Sequence, residues 1–180
     1  ESIIHEIESL YKQGHKKIND LTLPTLNMYG SKCALYNHPE QIFSPIINEP
    51  ITVYNKKDYC NQQCAGCKYR VISDDLYPLL EEVEKLNQKY KGTELELRSA
   101  IRHDIILDQK KLFRKIMQFT GRLKIAPEHI SNTVLKQMNK ATKQAFVDFL
   151  EEYKKVNKEQ GTNKNLVPYI VAGHPGSTEK

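Results

Sequence analysis

From residue 76 onward the chain alternates between helical and extended hydrophobic patterns, and this alternation restricts its folds more than any other feature. Leu76, Leu79, Leu80, Val83, Leu86 and Tyr90 fall at helical spacing and stop at Gly92. Leu95, Leu97, Ser99 and Ile101 then keep a two-residue period, as a strand does. Asp108 predicts the N-cap of a helix carrying Leu112, Phe113, Ile116 and Met117, which ends at Gly121. Leu123 and Ile125 form a short strand closed by Pro127. Ser131 caps a helix through Val134, Leu135 and Met138, and a longer helix uses Phe146, Phe149, Leu150 and Tyr153. After Gly161, residues 166–172 make a nearly continuous apolar run, the pattern of a parallel strand buried on both faces.

Strands separated by helices of this length imply a parallel sheet with helical crossovers. Upstream, Ile3, Ile4, Ile7, Leu10 and Tyr11 predict a helix ending at Gly14, followed by a short strand near Ile18 and Leu21. The fold class is therefore α/β. With about four strands, where a closed eight-stranded barrel takes about 250 residues, a partial βα barrel of about half size is expected. Residues 1–180 read as part of one core domain: a helix and strand over 1–21, an irregular cysteine-containing insertion over 22–75, and regular βα units over 76–180. Pro24, Pro39, Pro45 and Pro50 break any period in the insertion. So long an irregular stretch calls for function, or for something other than a core to hold it.

The net charge of +5 arises from 27 Lys and Arg against 22 Asp and Glu. The cations are mixed with acids, as in residues 81–85 and 151–155, so they read as solvated helix faces rather than a phosphate-binding surface, and no nucleic-acid partner is expected. No apolar run approaches the roughly 20 residues a membrane-spanning helix needs, and no signal-peptide pattern is present. A cytoplasmic protein without a membrane partner is expected.

Parallel α/β folds bind ligands beyond the carboxyl ends of their strands. The side chains there are Asp20, Pro24, Thr25 and Asn27 after the first strand, and Arg98, Ser99, Arg102, His103 and Asp104 along and after the second. Glu128 and His129 follow the third, and Gly173, His174 and Gly176 the fourth. Loops are polar in any protein, but functional groups after every strand fit a catalytic mouth better than a uniform surface. Cys60, Cys64 and Cys67 give C-x3-C-x2-C, with Cys33 as a fourth thiol. That set suits an iron–sulfur cluster or structural zinc, and disulfides are not expected without a secretory signal. C-x3-C-x2-C is also the spacing with which radical S-adenosylmethionine (SAM) enzymes hold a 4Fe–4S cluster.

Four blocks carry a family likeness. They are Pro24-Thr25-Leu26-Asn27-Met28-Tyr29-Gly30, Arg98-Ser99-Ala100-Ile101-Arg102-His103-Asp104, Leu123-Lys124-Ile125-Ala126-Pro127-Glu128-His129-Ile130-Ser131, and the stretch from Leu166 through Gly173-His174-Pro175-Gly176-Ser177-Thr178. In this order they resemble the YgiQ-type radical SAM proteins over nearly the whole chain. The resemblance places the family's principal cluster motif upstream of Glu1. Cys33, Cys60, Cys64 and Cys67 then become an accessory iron–sulfur or zinc site in the insertion. Thr22 and Leu23 stand where the family has paired glycines, adding side chains beside the methionine end of SAM.

The activity implied is that of a radical SAM enzyme in the full-length protein: one electron from a reduced 4Fe–4S cluster cleaves SAM to methionine and a 5′-deoxyadenosyl radical, which acts on an unidentified substrate. An electron donor is the implied partner. The resemblance assigns SAM contacts to Asp20, Thr22, Pro24, Thr25, Arg98, Ser99, Arg102, Glu128, Gly173 and Gly176, with His129 and His174 lining the cavity. Two other expectations compete with it. One is a metal-dependent hydrolase using His103, Asp104, Glu128, His129 and His174. The other is a non-catalytic, zinc-stabilised fragment.

Overall fold

The computed structural model describes residues 2–21, 25–34, 41–44, 48–52, 67 and 69–177. In chain order the elements are α1 (Ser2–Lys12), β1 (Lys17–Ile18), a 3-10 turn (Leu26–Met28), β2 (Lys32–Cys33), β3 (Gln41–Ser44), β4 (Glu49–Thr52) and β5 (Arg70–Val71). They continue with α2 (Leu76–Lys89), β6 (Glu94–Leu95), α3 (Lys110–Phe119), β7 (Arg122–Glu128), α4 (Asn132–Gln137), α5 (Lys143–Glu159) and β8 (Asn165–Ile170). The architecture is mixed α/β, with small parallel sheets and five α-helices among the described residues. No closed barrel is formed by them.

β1 pairs with β6 and β7 with β8, both in parallel, while β2–β5 and β3–β4 are antiparallel pairs. Residues 94–101 join the two parallel pairs. On one side Glu96 N–H donates to Ile18 O at 2.9 Å, and Leu26 N–H donates to Ala100 O at 2.9 Å. On the other, Leu97 N–H donates to Phe119 O at 2.8 Å and Ile101 N–H to Lys124 O at 3.0 Å. The strand expected from Leu95 to Ile101 is thus a ladder only over β6. Its remainder spends its amides singly on two neighbours, with one bridge left between Ile101 and Ile125.

The two-residue period sorts this surface into two faces. Ile18, Leu97, Ile101, Leu123 and Ile125 point into a core shared with Ile7 and Tyr11 of α1, Leu80 and Val83 of α2, Phe113 and Ile116 of α3, and Phe149 of α5. Lys17, Glu94, Glu96, Arg98, Arg122 and Lys124 occupy the alternate positions. α1 and α2 are pinned together where Lys89 Nζ and Tyr90 Oη both donate to Glu8, at 3.0 and 2.8 Å.

Two expectations are corrected. The apolar run 166–172 is not buried on both faces. β8 has only β7 as a partner among the described residues, and Tyr169 and Ile170 are 50% and 55% exposed. The residue capping α3 is Gln109 rather than Asp108. α2 ends at Lys89, just before the expected stop at Gly92, and Lys91 between them is left-handed at φ 51°. Gly92 is needed for space, since a Cβ there would lie 1.9 Å from Asn87 Oδ1. No helix among the described residues is long and apolar enough to cross a membrane.

The fully buried Asn27 ties the first strand's exit to the rest. Its Oδ1 accepts from Arg102 N–H at 2.7 Å, and its Nδ2 donates to Arg102 O at 3.0 Å and Gln109 Oε1 at 3.3 Å. Gln109 Nε2 in turn donates to Ser73 O and Asp74 Oδ1. Removing the amide leaves Arg102 N–H and Gln109 Oε1 without this partner, while Arg102 O keeps Ile106 N–H at 3.1 Å. Asn27→Ala is therefore expected to destabilise the chain by about 2–4 kcal/mol, read as a drop in the urea midpoint.

Candidate functional site

The tips of β7 and β8 meet in an irregular stretch of backbone. Pro127 has no N–H for the ladder, and the register slips between Ile125 and Glu128. The bulge leaves Glu128 at φ 67°, a left-handed conformation that costs a side-chain-bearing residue about 1–3 kcal/mol. Two contacts hold it there. Val171 N–H donates to Glu128 O at 2.8 Å, and Lys140 Nζ reaches Glu128 Oε1 at 3.1 Å. Lys140 is aimed by the end of α4, where Asn139 turns left-handed at φ 56° and Lys140 N–H returns to Leu135 O.

His129 lies beside it with a fixed tautomer. Ser131 N–H donates to its Nδ1 at 2.9 Å, so the ring proton sits on Nε2, which faces Ser177 Oγ at 3.4 Å. Ser131 heads α4 as expected, but its side chain makes no cap. The His174 Nδ1 faces Pro175 O at 2.7 Å and so carries a proton, and Ser177 N–H closes the turn onto His174 O. Gly173 and Gly176 are both left-handed, at φ 73° and 87°. A Cβ on Gly176 would press on Gln137 Oε1 at 2.7 Å, whereas a Cβ on Gly173 would meet no atom within 4 Å. The tips thus gather a carboxylate acceptor, an imidazole donor and an open glycine backbone. This donor set fits the diol and base of a nucleoside-type ligand.

The other expected contacts are engaged elsewhere. Asp20 Oδ1 accepts from Leu21 N–H and Arg98 N–H, at 2.9 and 3.1 Å, and its Oδ2 accepts from Ser99 Oγ at 2.9 Å. Asp20 clamps two strand ends, and Ser99 is its partner. The Arg98 guanidinium pairs with Glu96 at 2.7 Å, and Arg102 Nε pairs with Asp104 Oδ1 at 2.8 Å. Both guanidiniums are thus already paired with a carboxylate of their own strand segment. Thr25 precedes the 3-10 turn and gives no side-chain cap. Thr22 and Pro24 lie outside the described residues.

Cys33 and Cys67 line one cavity of about 160 Å³ together with Met28, Ser31, Lys32 and Arg70. The β2–β5 ladder sets Cys33 opposite Arg70, whose N–H donates to Cys67 O at 3.1 Å. Both cysteines are free thiols, Cys33 exposed and Cys67 half-buried. Cys60 and Cys64 lie outside the described residues. No three His, Cys, Asp or Glu side chains among the described residues gather to hold a metal. His103 is turned into the core, with its ring edge-on to Phe146 and Phe149 at 5.8 and 6.0 Å. The five groups of the hydrolase expectation therefore form no common centre.

A UPF0313 protein of Thermotoga neapolitana is 30% identical over 186 residues, spanning 98% of this chain and 29% of the relative. A UPF0313 protein of Clostridium botulinum is 36% identical over 128 residues, spanning 67% of this chain and 20% of the relative. The chain belongs to the UPF0313 family of YgiQ-type proteins. It spans less than a third of the length of these relatives. No protein-family model matches it, and no solved structure does. Sequence reasoning missed Lys140 as the UPF0313 chain's brace for Glu128. The one signal available was its place just after Asn139, a residue type that ends helices in the left-handed conformation.

Two predictions follow the strained tip and the buried histidine. Glycine tolerates φ 67° without penalty, so Glu128→Gly is expected to be more stable than Glu128→Ala by about 1 kcal/mol in urea unfolding, the reverse of the order at an ordinary strand position. Burial holds His103 below its ordinary value of 6.5, against the opposing pull of Asp104. The unfolded chain therefore takes up a proton first, and stability present above pH 6.5 declines as the pH falls below it. Urea midpoints measured from pH 7 to 5 should fall in the native chain, with that part of the slope absent in His103→Leu.

Proposed function

We propose that this chain is part of the core of a radical SAM enzyme, and that its parallel surface is a segment of a partial βα barrel. Membership of the YgiQ-type family supports the chemistry. The observation that carries the site is the left-handed Glu128 beside the open Gly173, at the carboxyl ends of two adjacent parallel strands. Strain kept at a strand tip, where α/β folds bind ligands, is the pattern of a ligand-holding residue.

In this proposal Glu128 accepts the ribose hydroxyls of SAM, the Gly173 backbone lies against the adenine, and His129 offers its Nε2 proton to whatever enters beside it. Asp20 and Ser99 act one step back, holding the ends of two strands in register. When bound, SAM and a reduced 4Fe–4S cluster supply one-electron chemistry that ends in hydrogen abstraction from the substrate. The chain's own task is to orient the ligand and keep water from it. Cys33 and Cys67, with Cys60 and Cys64, hold an accessory iron–sulfur cluster or zinc. The protein works in the cytoplasm with an electron donor.

The test uses a full-length UPF0313 protein carrying this chain, purified and reconstituted without oxygen. Iron and sulfide are expected at cluster stoichiometry, with an EPR signal that changes on adding SAM. Glu128→Gln should weaken SAM binding roughly tenfold while leaving iron content unchanged. A cluster spectrum indifferent to SAM, or SAM binding untouched by Glu128→Gln, would sink the proposal.

A further inference from the structure

The polar face of the parallel surface carries more positive charge than the protein neutralises. At its amino end a cleft of about 400 Å³ is lined by Glu96, Arg98, Gly121, Arg122, Lys124 and Asn165. The residues come from neighbouring segments held in register: Arg122 stands opposite Asn165 across the β7–β8 ladder, and Ile101 bridges Ile125. Arg122 and Lys124 are two residues apart on one strand face, so their side chains leave the backbone about 7 Å apart on the same side.

The single carboxylate in the cleft is already used. Glu96 Oε2 takes both Arg98 Nε, at 2.8 Å, and the guanidinium end, at 2.7 Å. The side chains of Arg122 and Lys124 have no hydrogen bond or ion pair with any described residue. Every other cation on this face that has an acid within reach is paired with it, as Lys17 is with Glu94 at 3.0 Å. Three cations around a concave space with one carboxylate among them give it a positive potential that attracts an anion. Gly121 keeps the floor open, since a Cβ there would approach Glu96 Oε1 to 3.0 Å.

We propose that this cleft binds the phosphate or polycarboxylate group of a small anionic ligand. Arg122 and Lys124 hold the anion, Asn165 adds an amide donor, and Glu96 limits the charge by holding Arg98. The volume falls within the range of small-molecule sites and is too small for a polymer to be engulfed. Guanidinium forks match the oxygens of phosphate and carboxylate in pairs. Lys124 precedes Glu128 by four residues on the same strand, which sets the cleft roughly 13 Å from the β7 tip. If the reading of the tip as a radical site is right, on which this one step rests, the anion is the far end of the substrate and the reacting carbon lies toward the tip.

The probe is inorganic pyrophosphate, titrated into this chain by calorimetry at low salt. Saturable 1:1 binding is expected, weakened roughly tenfold by Arg122→Gln and by Lys124→Met and unchanged by Lys154→Met on the exposed face of α5. Glu96→Gln frees Arg98 and is expected to tighten binding severalfold, a gain that partial unfolding does not produce. Citrate run in parallel separates the two sources: tighter pyrophosphate points to a phosphate ligand, and tighter citrate to a polycarboxylate. Absence of saturable binding, equal loss in Lys154→Met, or weaker binding in Glu96→Gln would overturn the proposal. None of these readouts depends on iron or SAM, so the anion site fails or stands apart from the radical chemistry.

Discussion

Residues 94–101 lie between two strands that never meet, and the remainder of the structure depends on that seating. Their amides and carbonyls reach Ile18 and Leu26 on one side and Phe119 and Lys124 on the other. Without them the α1–β1 unit and the β7–β8 unit would share helices but no backbone. The segment can serve both sides because, beyond the short β6 ladder, it gives each only isolated bonds. That loosens the ladder, and the loosening is compensated by side chains. Asp20 takes Arg98 N–H and Ser99 Oγ, and Asn27 takes both polar groups of the Arg102 backbone. Two polar side chains do the work of missing ladder rungs, and a buried amide with all its partners is a stable way to do it.

This division explains why some of the sequence was legible and some was not. The helices were plain, because α2, α3 and α5 carry their apolar residues at a spacing that only a helix buries on one side. β7 was visible as Leu123 and Ile125, yet its full length to Glu128 was masked by Pro127, a residue that reads as a stop and acts here as the cause of a bulge. The run 166–172 signalled a strand correctly and its burial incorrectly. Apolar composition reports what a strand prefers to contact, and β8 contacts only β7 among the described residues.

The site was legible in kind but not in assignment. Asp20, Arg98, Ser99, Arg102, Glu128, His129 and His174 do stand at or near strand ends, as the alternation implies. Sequence position alone could not say which would spend their charges on one another. Arg102 and Asp104 are two residues apart and pair, as Arg98 and Glu96 do. A short-range ion pair is satisfied at little entropic cost, so it wins over a more distant partner. Glu128 has Lys140 as its brace and remains one-fifth exposed, which leaves an edge of the carboxylate for a ligand.

The two ends of β7 now carry opposite characters. At the carboxyl end a carboxylate sits in a strained backbone beside open glycine. At the amino end two cations stand without a protein partner among the described residues. Both lie on the face that the core does not use, because Leu123, Ile125 and Pro127 take the alternate positions and are buried. The period of two that buries one side of the strand therefore lines up Arg122, Lys124, Ala126 and Glu128 on the other. The bulge at Pro127 bends the last of these away from the row. Glu128 pairs with Lys140 at 3.1 Å, so the strand's acid is satisfied locally and the two cations unpartnered among the described residues stand at its opposite end.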